Sequence, residues 1–224
     1  MDEQELTPGE KFVEYALQIG AITFTEFRLR SGRISPYMYN SGAFYNAERL
    51  IFLAKAYARL IIRHGLRPQV IFGPAYKGIA LAIAIALQLG GKIGFAFNRK
   101  EEKTHGEGGF HVGAPLELKN VAVVDDVITT GESAEKAIAF IRCQNGLPFV
   151  LVIAFDRQER GTGNESATQQ FARQNGIPVY AIATLDDLIS VLTRWSTDGR
   201  HDHSTYAAAL ESVRTYRELY GLKS

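Results

Sequence analysis

The chain has 224 residues, with 25 lysines and arginines against 24 aspartates and glutamates, and 46% of its residues are hydrophobic. This size and composition are typical of one soluble globular domain. The net charge of +1 argues against a protein whose main task is to bind nucleic acid, because such domains carry a marked basic excess. We therefore expect a small-molecule partner.

The sequence gives no sign of a membrane anchor or of a disulfide framework. The first ten residues lack the basic and apolar regions of a signal peptide. The charge-free stretch 78–91 has 14 residues, fewer than the roughly 20 that cross a bilayer. Cys143 is the single cysteine and lies in an apolar stretch, so we expect a buried, reduced thiol. These features predict a cytoplasmic protein that does not bind membranes.

Residues 1–45 have a pattern of their own and are predicted to form a small cap, which we call the hood. Residues 8–19 space their apolar side chains as a helix does. Two strand-like segments, 22–29 and 34–39, follow on either side of a Ser31-Gly32 turn.

Residues 46–224 alternate between helical and strand-like segments and are predicted to form the core of the same single domain. Helices are expected at 47–63, 78–89, 132–144, between 155 and 179, and twice after 182, strands at 70–73, 93–97, 121–125, 149–155 and 179–182, and a long loop at 98–115. This alternation predicts an α/β fold with a parallel sheet flanked by helices. Ligands of such sheets lie beyond the carboxyl ends of the strands.

A strand that ends in two acidic residues is the strongest chemical signal. In residues 121–133 (VAVVDDVITTGES), Asp125 and Asp126 end the strand, and Thr129 and Thr130 lead into a helix. Backbone N–H groups at a helix start, together with hydroxyls, bind phosphate. The carboxylates suit sugar hydroxyls or Mg²⁺-bound water, so the segment predicts a sugar phosphate site. The alternative is that these residues only cap the helix.

Two further loops carry cations. Residues 72–78 (FGPAYKG) follow a strand and open a helix, where Lys77 opposes the helix dipole unless an anion binds. Residues 98–113 contain four glycines, three basic residues and two histidines, which indicate a mobile lid that closes on a polyphosphate. Ordinary solvated turns are the alternative for both loops.

Two segments suit a planar, anionic ring. Residues 155–161 (FDRQERG) place Arg157 after a strand, where its guanidinium can bind a carboxylate with two hydrogen bonds. A solvated strand end is the alternative for Arg157. In the hood, residues 27–40 (FRLRSGRISPYMYN) combine Arg30 with an aromatic-rich strand that contains Met38 and Tyr39.

Three histidines lie outside these segments. His64, His201 and His203 fall at predicted helix ends or in a polar loop, and we interpret them as surface residues. The His201-x-His203 pair has no cysteine or third ligand nearby in the sequence, so we predict no metal there.

Together and in this order, the segments resemble the type I phosphoribosyltransferases, whose binding motif for phosphoribosyl pyrophosphate (PRPP) has the pattern of residues 121–133. The lid sequence RKEEKTHGEGG at 99–109 and the segment DRQERG at 156–161 resemble bacterial-type orotate phosphoribosyltransferases in particular. Two positions differ from the usual pattern, since Arg30 replaces a lysine and Met38 replaces a phenylalanine. Both differences concern the affinity for the base and not the class of reaction.

The resemblance implies transfer of phosphoribose from PRPP to orotate, giving orotidine 5′-monophosphate and pyrophosphate in pyrimidine synthesis. It implies Lys103, Arg99, Asp125 and Asp126 as catalytic residues. It implies PRPP contacts from Arg30, Tyr76, Lys77, Arg99, Lys100, Lys103, His105, Asp125, Asp126, Val127, Ile128, Thr129, Thr130, Gly131, Glu132 and Ser133. It implies orotate contacts from Arg30, Met38, Tyr39, Thr129 and Arg157. Finally, it implies Mg²⁺ held mainly by PRPP and water, and a homodimer whose lid reaches the partner's site.

Two other functions stay open from the sequence. The chain could transfer phosphoribose to another base, such as a purine, although the segment around Arg157 argues against this. It could also be a nucleotide-sensing regulator that binds RNA or DNA, against which the balanced charge and the cationic lid argue.

Overall fold

The structure of the chain, a computed structural model, describes residues 5–29, 31–103, 109–128, 131–161, 163–199 and 201–222, with the backbone alone at 100–103 and 109–110. The hood contains α1 (Pro8–Gln18), β1 (Ile22–Thr23), β2 (Phe27–Arg28), β3 (Ile34–Ser35), β4 (Met38–Tyr39) and a 3₁₀ helix (Ser41–Ala43). β1 pairs with β4 and β2 with β3, both antiparallel. The two predicted strand-like segments are thus divided into four, and Pro36, which has no N–H, separates β3 from β4.

The sequence explains where α1 begins. The Thr7 hydroxyl accepts a hydrogen bond from the backbone N–H of Glu10, and the Glu10 carboxylate accepts one from the backbone N–H of Thr7. The buried face of α1 includes Phe12 and Val13, and it packs against the core of the protein.

The remaining elements follow the predicted alternation. In chain order they are α2 (Ala47–Arg63), β5 (Val70–Phe72), α3 (Lys77–Leu89), β6 (Gly94–Lys103), β7 (Gly109–Gly113), β8 (Asn120–Asp125), α4 (Glu132–Cys143), β9 (Leu147–Asp156), α5 (Ala167–Asn175), β10 (Val179–Thr184), α6 (Leu185–Trp195) and α7 (His203–Tyr220).

Six strands form one sheet in the order β10-β9-β8-β5-β6-β7. All neighbouring pairs are parallel except β6 and β7 at one edge. Alternate residues of β8 point to opposite faces, so Ala122 and Val124 pack with α1, α2 and α6, whereas Val121 and Val123 pack with α4 and α5. The predicted α/β fold, with a parallel sheet flanked by helices, is confirmed.

The predicted loop at 98–115 is wrong over most of its length. β6 continues to Lys103 and β7 returns antiparallel to it, with Asn98 opposite His111 and Lys103 opposite Gly109. Glycines and mixed charges conceal this ribbon in the sequence, because its strands are held by pairing with each other and not by an apolar pattern.

Two side chains differ from their predicted surroundings. Cys143 is exposed and not buried, because it lies on the face of α4 opposite to the buried residues Ile138 and Ile141. His201 is half-buried and not at the surface, since its ring stacks on Trp195 with centroids 3.9 Å apart. His64 and His203 are exposed, as predicted.

Among the described helices, none is both long enough and apolar enough to span a membrane.

Candidate active site

The carboxyl ends of β5 and β8 bring the acidic pair close to Lys77. The Oδ2 atom of Asp126 accepts hydrogen bonds from Lys77 Nζ at 3.0 Å and from Ser41 Oγ at 2.6 Å. Ser41 belongs to the 3₁₀ helix of the hood, so hood and core meet at this carboxylate. Sequence analysis did not single out Ser41, because the contact joins residues 85 positions apart and no local pattern indicates it.

The charged form of Asp125 is destabilised by its surroundings. Its pKa is raised to about 6, because burial and the neighbouring charge of Asp126 both oppose ionisation. The backbone N–H of Asp126 and the Ser133 hydroxyl donate hydrogen bonds to its carboxylate, and these offset only part of the effect. Two carboxylates thus face one exposed lysine, an arrangement that favours hydroxyl donors or a hydrated divalent cation.

A cavity of about 200 Å³ lies beside these groups, and we call it the acidic cavity. Its lining includes Tyr39, Tyr57, Lys77, Gly78 and Asp126. The Tyr57 hydroxyl donates to the backbone carbonyl of Asp125 at 2.7 Å. The Tyr39 hydroxyl is buried and makes no hydrogen bond with the described residues. The cavity therefore joins a predicted orotate contact to two predicted PRPP contacts.

The loop between β5 and α3 passes very close to its own helix. A Cβ atom on Gly73 would lie 1.9 Å from the carbonyl oxygen of Gly78, so no side chain fits there. The backbone N–H of Ala75 donates to Asn98 Oδ1 at 3.0 Å, which ties the loop to β6. Tyr76, a predicted PRPP contact, is 68% exposed. A small ligand can therefore reach the loop from the solvent side.

The residues after the acidic pair continue toward α4. Val127 is half-buried and Ile128 is buried. Thr129 and Thr130 lie outside the described residues, so their predicted contacts with PRPP and orotate stay predictions.

The first turn of α4 contains the last three residues of the predicted phosphate motif. Gly131 has a φ of +79°, in the left-handed region that favours glycine. Glu132 and Ser133 are exposed in the first turn, and Glu132 accepts a hydrogen bond from Lys136 Nζ at 2.5 Å. The helix start is thus exposed at Ser133, whose hydroxyl also donates to Asp125.

The predicted lid residues lie on the β6–β7 ribbon or beyond it. Arg99 is half-buried, and its Nε atom is buried without a hydrogen-bond partner among the described residues. Lys100 and Lys103 belong to β6, where only their backbone is described. His105, like Arg30 in the hood, lies outside the described residues. Their contacts with PRPP stay predictions.

Arg157 is buried at the end of β9. Its side chain is 7% exposed, so the alternative of a solvated strand end is excluded. The Nε atom donates to Glu159 Oε1 at 2.6 Å and Nη2 donates to Ser35 Oγ at 2.7 Å. The guanidinium also lies 4.2 Å from the centroid of the Tyr37 ring. Burial opposes the charged form, yet the pKa of Arg157 is raised because Tyr37 and Glu159 favour the cation.

Glu159 is a site residue that sequence analysis missed. Its carboxylate also accepts hydrogen bonds from Arg33 Nη1 at 2.9 Å and from the Tyr216 hydroxyl at 2.8 Å. We call Arg33, Arg157, Glu159 and Tyr216 the arginine cluster. The available signal was the opposite charge two residues after Arg157 in the same strand-end segment.

A second cavity, of about 250 Å³, adjoins this cluster, and we call it the arginine cavity. Leu29 and Ser31 of the hood, Ile128 and Arg157 all line it. The predicted orotate contacts are therefore divided, since Arg157 lines this cavity and Tyr39 lines the acidic one. Met38 is half-buried in β4.

No group of three or more histidine, cysteine, aspartate or glutamate side chains that could hold a metal ion occurs within the described part of the chain.

Comparison with known proteins agrees with this geometry. The phosphoribosyl transferase domain family matches residues 40–174. The orotate phosphoribosyltransferase of Thiobacillus denitrificans is 44% identical over 215 residues, which cover 95% of this chain and 97% of that protein. The one from Marinobacter nauticus is 45% identical over 216 residues, covering 95% and 98%. The crystal structure of the orotate phosphoribosyltransferase of Francisella tularensis superposes with a TM-score of 0.77 at 34% identity, over 94% of this chain and 99% of that one. This chain therefore belongs to the phosphoribosyltransferase family, and within it to the orotate phosphoribosyltransferases.

Proposed function

We propose that the chain transfers the phosphoribosyl group of PRPP to orotate, giving orotidine 5′-monophosphate and pyrophosphate in the synthesis of pyrimidine nucleotides. The observation that carries this proposal is the pair of cavities at the ends of the neighbouring strands β8 and β9, one lined by Asp126 and Lys77 and the other by Arg157 with its partner Glu159. The acidic cavity suits a sugar with its metal ion, and the arginine cavity suits an anionic ring.

The reaction breaks the bond between C1 of the ribose and the pyrophosphate oxygen, which leaves with the electron pair. It forms a bond from C1 to a ring nitrogen of orotate, and that nitrogen gives up its proton to the leaving pyrophosphate or to water. Negative charge therefore grows on the leaving group, and preorganised cations stabilise it. We assign this task to Lys77, Arg99 and Lys103. Asp125 and Asp126 accept hydrogen bonds from the ribose hydroxyls and hold the sugar in place.

Mg²⁺ fits the acidic cavity. Asp125 and Asp126 offer hard oxygen ligands next to one another, and the pKa of Asp125 is raised by burial and, in addition, by the charge of Asp126, which a cation would offset. Because Mg²⁺ gives up its water reluctantly, we propose that these carboxylates bind it through water while PRPP supplies most direct ligands. When bound, the ion neutralises charge on the pyrophosphate.

Orotate is assigned to the arginine cavity. Arg157 is fixed by Glu159 and Ser35, and a fixed guanidinium at a cavity wall suits the carboxylate of the ring. Arg30, Met38 and Thr129 are the further contacts that we propose for the base, whereas Tyr39, which lines the acidic cavity, is assigned to the sugar side of the site.

The test is the loss of orotate absorbance after PRPP and Mg²⁺ are added to the purified protein. Adenine, hypoxanthine and uracil, assayed in parallel by pyrophosphate release, serve as controls for base selectivity. We expect turnover with orotate and little with the other three bases. Turnover of a purine in place of orotate would contradict the assignment of the base.

We further propose a cytoplasmic homodimer in which the lid of each subunit serves its partner's site. Lys103→Ala and Asp126→Asn are then both nearly inactive alone. After subunit exchange, each heterodimer holds one site in which both groups are wild type, so up to half of the wild-type activity per heterodimer returns. If each site used the lid of its own chain, exchange would restore nothing, because both sites of the heterodimer would carry a substitution.

A further inference from the structure

The arginine cluster joins three separate parts of the chain through one carboxylate. Arg33 lies in the hood, directly before β3, Arg157 follows β9, and Tyr216 belongs to α7. Each donates a hydrogen bond to Glu159, whose side chain is 11% exposed. A single buried acceptor thus determines how the hood, the sheet and the last helix meet beside the arginine cavity.

Glu159 is also the charge partner of Arg157. A buried guanidinium is costly unless a carboxylate and further hydrogen bonds compensate it. Glu159 binds Arg157 through Nε, while Ser35 binds Nη2, so the plane of the guanidinium is fixed from two sides. Removal of the carboxylate would leave only Ser35, Tyr37 and Tyr216 to hold Arg157 at the cavity wall.

The backbone around Glu159 is held by contacts that do not need its side chain. Gln158 has a φ of +50°, and its side-chain amide both donates to Asp186 Oδ2 at 2.8 Å and accepts from the backbone N–H of Asp186 at 2.9 Å. The backbone carbonyl of Glu159 accepts from the N–H of Ala167 at 2.9 Å. Substitution of Glu159 is therefore expected to change the orientation of Arg157 more than the fold.

We propose that Glu159 is a positioning residue for the base, which acts by orienting Arg157 and which the Tyr216 hydroxyl in turn supports. This inference rests on the proposed function, since it needs Arg157 to bind the carboxylate of orotate. It also gives the last helix a role in base recognition, because Tyr216 reaches the cluster from α7.

The test measures KM for orotate, KM for PRPP and kcat separately in several variants. In Glu159→Gln, the amide keeps one acceptor oxygen but turns a donor toward a guanidinium. We expect KM for orotate to rise about tenfold, the effect of losing one hydrogen bond to a charged group, while KM for PRPP stays within about twofold. Tyr216→Phe removes a hydroxyl that contacts both Glu159 and Arg157, and it should raise KM for orotate roughly threefold.

Two comparisons separate positioning from a merely structural role. Glu165→Gln is the matched control, because Glu165 is an exposed carboxylate in an ion pair with Arg173 at 3.0 Å, and its loss should leave both KM values unchanged. The second comparison places Glu159→Gln in an Arg157→Ala background. If Glu159 acts through Arg157, adding Glu159→Gln to Arg157→Ala causes no further change in kcat/KM for orotate.

The inference is wrong if Glu159→Gln leaves KM for orotate unchanged, raises both KM values equally, or retains its effect without Arg157. Should Glu159→Gln fail to fold, Tyr216→Phe alone decides, and an unchanged KM for orotate then overturns the inference. A wild-type protein that does not consume orotate is a different result, because it overturns the proposed function itself.

Discussion

The ends of β8 and β9 are neighbours in the sheet but differ in the charged groups that they carry. After β8, the carboxylates of Asp125 and Asp126 lie near the exposed Lys77. After β9, Arg33 and Arg157 share Glu159, and the cavity there is lined by three arginines and three acids, Glu135, Asp156 and Glu159. The open parallel sheet determines where a ligand binds, beyond the strand ends. A few side chains then determine which part of the ligand each strand end accepts.

The largest effect is expected when the two carboxylates at the end of β8 are neutralised. Asp125→Asn combined with Asp126→Asn should lower kcat/KM by roughly a hundredfold to a thousandfold, the range for removing a preorganised electrostatic group. We expect the far-UV circular dichroism spectrum to stay unchanged, because the backbone of β8 is buried whether or not these two side chains are charged. Glu165→Gln combined with Glu211→Gln is the control for the change in charge, because the Glu165 side chain is 45% exposed and Glu211 is exposed. Loss of folding in the first double variant would instead support the helix-capping interpretation.

The acidic residues at the end of β8 are also expected to affect how folding stability depends on pH. The pKa of Asp125 is about 6 in the folded protein against 3.8 for an ordinary aspartate, so the folded state binds the proton more tightly. Folding stability attributable to this group therefore falls as pH rises from about 4 through 6, by roughly 3 kcal/mol at full effect.

Asp125→Asn removes this penalty. We expect the variant to be more stable than wild type above pH 7, with a difference that shrinks toward pH 4. Urea denaturation of both proteins at pH 5, 6 and 8 measures it. Equal differences at all three pH values would show that burial of this charge is not the cause.

The role that we assign to the end of β9 is tested by Arg157→Ala. Loss of a charge-assisted hydrogen bond of about 1.5 to 3 kcal/mol should raise KM for orotate tenfold or more. The matched control is Arg173→Ala, at an exposed arginine paired with Glu165. An effect confined to KM for PRPP would reverse our assignment of the two cavities.

The smallest effect is expected at Arg30. Arg30→Lys restores the usual residue of the family, and we expect orotate turnover to be unchanged or improved. If this variant is inactive while Arg30→Ala is tolerated, the cationic role that we assign to this position is wrong.

The parts of the fold that follow apolar periodicity were predictable from the sequence. α2 spans Ala47–Arg63 as expected, because its apolar side chains form a continuous buried stripe. The central strands were also found within a few residues. The β6–β7 ribbon was missed because it depends on pairing between two polar segments. Cys143 was misplaced because an apolar neighbourhood in sequence does not say which face of a helix a residue takes.

The candidate site was predictable as a set of residues but not as a set of contacts. The acidic pair and Lys77 were both expected to bind ligand, and the structure places them in contact with each other. The roles of Ser41 and Tyr216 were not visible, because they come from distant segments and reach the site only through the packing of the hood and α7.

The close approach of Gly73 and Gly78 limits how this loop can diversify. A methyl group at either position meets the backbone of the other, at 1.9 Å for Gly73 and 2.6 Å for Gly78. Neither glycine can therefore be replaced on its own, and no change of a neighbouring side chain makes room for a replacement. Substitutions that adapt the loop to another anion, whether inherited or selected in the laboratory, are therefore confined to residues 74–77. Within this segment Tyr76 is open to solvent. A saturation library at those four positions should retain folded members, whereas the two glycines should tolerate no replacement.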